Sequence, residues 1–94
     1  MANPRWYYEN GMKSYYDGDY ISAVLWNETC LREAPYWPYG FLAMHNIAAT
    51  YHKAGLLKMA DQWARKTYEM APFFDAVRCF ISTCSTKERI ETEN

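Results

Sequence analysis

One pattern of small residues runs through this chain twice. Gly18, Ala23, Cys30, Ala34 and Pro35 are followed, each 37 residues later, by Gly55, Ala60, Thr67, Ala71 and Pro72. A repeat period between about 20 and 50 residues marks stacked units, each too small to bury its apolar face alone. Such a chain folds by laying unit on unit, and its working surface is the face no neighbour covers. The repeat shifts the expected function from catalysis towards an exposed binding surface.

The punctuation between the repeated positions is helical. Asn3-Pro4 opens the first helix with a capping side chain and a proline in the first turn, where its missing N–H costs nothing. Gly18 and Gly55 stand where a helix ends in a left-handed residue, and Pro35 and Pro72 forbid the next helix of each pair from continuing. Apolar residues recur at steps of three and four: Ile21, Val24, Leu25 and Leu31, then Leu56, Met59, Ala60, Trp63 and Ala64. Phe73, Val77, Phe80, Ile81 and Cys84 extend the spacing, with Asp75, Arg78, Ser82 and Ser85 on the other side. Strand signals are absent. The pattern predicts helices near 5–17, 20–33, 39–53, 57–70 and 73–86.

The ordered landmarks resemble those of the tetratricopeptide repeat (TPR), a helix–turn–helix unit of about 34 residues. The second copy carries Met44, Ile47, Ala48, Tyr51, Gly55, Ala60, Ala64 and Pro72; the first keeps Tyr7, Gly11, Gly18, Tyr20, Ala23 and Pro35. Asn10, Ser14 and Asn27 stand where that family prefers apolar or aromatic residues. The resemblance covers residues 4–74, with three extra residues between the copies. It implies an all-α fold, a short α-solenoid of two TPR-like helix–turn–helix pairs with a capping helix. Repeat one is about 4–37, repeat two about 41–74, the cap about 73–86, and 87–94 a polar tail expected to fray or stay disordered. The cap is expected to cover the apolar stripe that a last helix pair leaves open.

Composition narrows the functions. A net charge of −1 and a pI near 6.1 argue against nucleic acid, which a basic stripe would meet. No run of 18 apolar residues is present to span a membrane. Met-Ala-Asn-Pro-Arg-Trp lacks the basic and apolar regions of a signal peptide, and three cysteines at apolar or half-apolar helical positions read as buried reduced thiols, so a cytoplasmic setting is expected. There is no phosphate loop, nucleophile elbow or Cys-x-x-Cys, so no enzyme is expected and no cofactor. His45 and His52 lie two turns apart, about 10 Å along a helix, too far to share a metal unaided. Asp17-Gly-Asp19 reads as a helix stop followed by a helix start, not a calcium loop.

In the family the first helix of each pair lines a concave face. The resemblance therefore places Tyr8, Met12, Tyr15 and Tyr16 on that face from the first helix. From the third come Leu42, His45, Ala49, His52 and Lys53, with Asn46 aligned to a groove asparagine that resembles those holding a ligand's main chain. For Tyr8, Tyr15 and Tyr16 core packing is the competing role; for Asn46 it is a hydrogen bond between helices. TPRs that clamp the acidic tails of heat-shock chaperones use Lys and Asn on the first helix, where this chain has Tyr8 and Met12, so that clamp is broken. The face suits an apolar or Pro-rich segment or a short helix. The linker Ala34-Pro-Tyr-Trp-Pro-Tyr-Gly40 either displays its aromatics to a partner or folds Trp37 back over the junction of the pairs. The expected function is a protein-binding adaptor, scaffold or assembly factor. A permanent subunit of a larger complex or homo-oligomer is the alternative.

Overall fold

Asn3 starts the first helix as its sequence requires: the side chain accepts a hydrogen bond from the Arg5 N–H at 2.9 Å, and Pro4 takes the first turn. A computed structural model describes residues 3–78 and 80–81. Four helices follow one another, α1 (Pro4–Tyr16), α2 (Tyr20–Glu33), α3 (Gly40–Lys53) and α4 (Leu57–Met70). Residues 75–78 and 80–81 are helical again, and no strand occurs among the described residues. The protein is all-α, built of helix pairs. The expected continuation over 82–86, Cys79, Cys84 and the tail 87–94 lie outside the described residues.

The repeat in the sequence is a repeat in the backbone. Asp17 and Ala54 end their helices at φ/ψ of −79/−5° and −80/−3°, and Gly18 and Gly55 follow at φ of 81° and 84°. Asp19 (−90/80°) and Leu56 (−92/73°) then launch α2 and α4. In each turn the residue after glycine donates five residues back, Asp19 to the Ser14 carbonyl and Leu56 to the Tyr51 carbonyl, both at 2.9 Å. The glycine N–H donates three back, to Tyr15 and His52, both at 3.1 Å. This is a Schellman closure made twice. The far ends match as well: Ala34 (−136/64°) and Ala71 (−138/69°) donate to the carbonyls of Cys30 and Thr67.

Small residues hold the pairs together. Ala23, Cys30, Ala43, Ile47, Ala48, Ala60, Ala64 and Ala71 are fully buried, which lets the helix backbones approach closely. The buried polar groups Asn27, Thr50 and Thr67 each bond back to the carbonyl four residues earlier, at 2.9, 2.6 and 2.7 Å, so they mostly satisfy themselves. The Cys30 thiol, buried and free, donates to the Pro4 carbonyl at 3.3 Å and ties the end of α2 to the start of α1. Burial pushes its pKa up.

Among the described residues, five of the apolar spacing read in the sequence are exposed instead: Ile21, Leu25, Leu56, Met59 and Phe73. Ile21 is 78% exposed and Leu25 56%, although both belong to the three-and-four pattern. The reason is rotational: α2 buries the stripe of Ala23, Asn27 and Cys30, and positions two away from Ala23 fall on the far side of the helix. The fifth segment turns helical at residue 75, two residues later than expected, with Phe73 exposed in the turn before it. Val77 is fully buried with Ala48 and Ala64, and Trp63, Phe74, Phe80 and Ile81 pack around them. Asp75 and Arg78 face outward as an exposed pair 3.8 Å apart.

Candidate binding face

The first turn, α2 and the linker after it bring α3 alongside α1, so residues spaced along each can face one another. They form two hollows instead of one continuous groove. In the first, Met12, Tyr15 and Tyr16 of α1 stand opposite His45, Asn46 and Ala49 of α3 around about 200 Å³. In the second, Tyr8 and Leu42 meet the linker residues Trp37 and Tyr39, with Asn3 and Arg5, around about 430 Å³.

The linker makes the division. Trp37 folds back, its ring edge-on to Tyr8 at 6.0 Å and to Tyr39 at 5.9 Å. Tyr8 is thus half-buried against another aromatic rather than an open anchor. Tyr36 stays 80% exposed. The linker therefore shields one aromatic and displays another.

The first hollow is lined without any charged side chain. Tyr15 packs edge-on against Tyr16 at 5.3 Å and lies 6.2 Å from Tyr20, which fixes its ring at the rim. Two of the hollow's lining residues each hold an unsatisfied polar atom: Asn46 Nδ2 and His45 Nδ1 are buried and find no hydrogen-bond partner among the described residues. A buried donor or acceptor left unpaired costs about 1–3 kcal/mol. Burial also lowers the His45 pKa, so the imidazole is held neutral.

Of the ten residues expected on this face, Met12, Tyr15, Tyr16, His45, Asn46 and Ala49 come together. Tyr8 and Leu42 belong to the second hollow, and Lys53 is exposed at the end of α3, lining neither. His52 packs on Phe80 at 5.2 Å. Phe74 and Phe80 also lie 5.2 and 5.5 Å from the His45 ring. The expectation of a face without a covering neighbour is therefore corrected: the C-terminal segment covers its α3 end. The apolar spacing of Phe80 placed it on the cap but could not say which side chains it would meet.

A third hollow, of about 320 Å³, lies on α2's outer side between Ile21, Leu25 and Glu28 and the α3–α4 turn at Tyr51, Ala54 and Leu56. Sequence reasoning missed it, because Ile21 and Leu25 looked like core. Among the described residues no three His, Cys, Asp or Glu side chains gather as a metal site, and no helix is long and apolar enough to cross a membrane.

These features define a small all-α protein of stacked helix pairs with two separate hollows along α1 and α3. No protein-family model matches the chain, and neither a curated protein nor a solved structure shows significant similarity to it.

Proposed function

We propose that this chain is a TPR-like, non-catalytic interaction module that holds a peptide or short helical segment of another protein against the α1–α3 face. The observation that carries the reading is the uncharged hollow of Met12, Tyr15, Tyr16, His45, Asn46 and Ala49, in which His45 and Asn46 each hold a buried polar atom with no partner among the described residues. Tyrosines at the rim supply apolar area and a hydroxyl at small entropic cost, as interface anchors do. The Asn46 amide suits a main-chain carbonyl, and the neutral His45 ring suits a polar group of the same segment. Both the resemblance of the landmarks and the doubled backbone turns support a TPR-like architecture.

A second reading, a permanently assembled subunit, draws on the large apolar side chains left exposed, notably Ile21, Leu25, Leu56 and Phe73. Sedimentation at low and high concentration separates the two: an adaptor is monomeric alone, and an obligate subunit self-associates. Affinity capture from the native source, repeated with Tyr15→Ala and Asn46→Ala, tests the first. Undiminished capture by both variants would reject it.

A further inference from the structure

α2 is apolar on two opposite faces, and only one of them is covered. The stripe of Ala23, Asn27 and Cys30 is buried, whereas Ile21, Leu25 and Glu28, at i, i+4 and i+7, form a second stripe along the outside. A helix with apolar residues on both sides is normally buried on both. The outer stripe borders the hollow closed by Val24, Thr50, Tyr51, Ala54 and Leu56, so it is a groove with a floor.

The charge in that groove is specific. Glu28 is the only charged residue in the lining, and it makes no ion pair among the described residues. We infer that this outer groove is a second docking surface, which takes an amphipathic helix of another protein carrying a Lys or Arg beside its apolar stripe. Ridges at i and i+4 on α2 receive the side chains of a crossing helix, and branched residues of that helix fill the hollow. Its cation meets Glu28 as the groove is desolvated, where an opposite charge counts most.

A second copy of this chain fits less well. In a two-fold pairing of identical grooves each copy presents the same lining, with its carboxylate and no cation to receive the other's. The Tyr51 hydroxyl supplies no counter-charge either, since a phenol is neutral or anionic and never a cation; burial and then the field of Glu28 push its pKa up. The groove thus disfavours its own kind and favours a basic partner. This surface is separate from the α1–α3 face, and its test can fail without touching that reading.

The test is selection of a display library of random helical segments, roughly four turns long, against the full chain. Enriched segments should carry apolar residues at helical spacing with a flanking Lys or Arg. Leu25→Asp should abolish their binding, while Tyr15→Ala leaves it unchanged. Glu28→Lys should weaken a selected segment at least about tenfold, the effect of a partly desolvated charge pair, and changing the segment's basic residue to Glu should restore binding to that variant. Amide shifts should map to 20–28 and 50–56. The proposal is overturned if no segment is enriched in a Leu25-dependent way, if enriched segments lack a basic residue, or if sedimentation shows a dimer that Leu25→Asp dissolves.

Discussion

Gly11 lies against the carboxamide of Asn27, so close that a Cβ on residue 11 would overlap the Asn27 Nδ2. Asn27 is fully buried and bonded to the Ala23 carbonyl, so its side chain has nowhere to retreat. The small residue of α1 and the polar residue of α2 are therefore one packing unit, and the crossing of the first helix pair depends on both.

Gly11→Ala should cost about 1–3 kcal/mol by overpacking that crossing. Asn27→Ala opens space beside residue 11, so the same change in that background should cost clearly less. Thermal melts of the parent, both single variants and the double variant measure the coupling. Additive losses would mean the two residues do not press on each other.

Gly18→Ala and Gly55→Ala should each lose about 1–2 kcal/mol, and by nearly the same amount. Their φ values of 81° and 84° are the left-handed region that a Cβ disfavours, and no atom lies within 4 Å of the added carbon at either site. Denaturant titration should show equal shifts. A loss at only one site would mean the two turns differ in solution.

His45 should make stability depend on pH. Burial holds its folded pKa below the ordinary 6.5, so the unfolded chain binds the proton first as pH falls. Its contribution is complete above about pH 6.5 and is lost progressively below that, until the folded pKa is reached. Melting temperatures of the parent and His45→Gln across pH 5–8 should converge on acidification. Parallel curves would contradict a buried neutral imidazole.

Tyr15→Ala and Asn46→Ala should each weaken partner capture by about 2 kcal/mol, some thirtyfold, with little change in melting. Tyr8→Ala differs, because Trp37 packs on that ring; it should lower stability as well as binding. Added salt should matter little for the first hollow, whose lining carries no charge. Loss of binding in step with loss of stability at Tyr15 and Asn46 would identify both as core.

Local chemistry made the helix ends legible. Asn3-Pro4, the two glycines and the two Ala-Pro steps each act within a few residues, and α1 to α4 begin and end within a residue of expectation, whereas the fifth helical segment starts two residues late, at 75. The faces were less legible. Ile21 and Leu25 share the spacing of core residues, but a helix with two apolar sides carries no sign of which is inward. Trp37 over Tyr8 and Phe80 over His45 depend on where distant segments come to rest, which spacing within one helix cannot encode. Six of the ten site residues still met in one hollow, because their positions on α1 and α3 follow from helical periodicity once the pairs stack.

The corner at Ala34 and the corner at Ala71 have the same backbone torsions within a few degrees. Only the exit from the helix repeats, set by main-chain angles and small buried residues; five residues then lead to α3 and three to the helical residue 75. Tyr15, Asn46, Leu25 and Glu28 take no part in those exits. Recognition and architecture are thus written in different letters of the chain: selection can rewrite Tyr15, Asn46, Leu25 or Glu28 for a new partner and leave the helix pairs that present them unaltered.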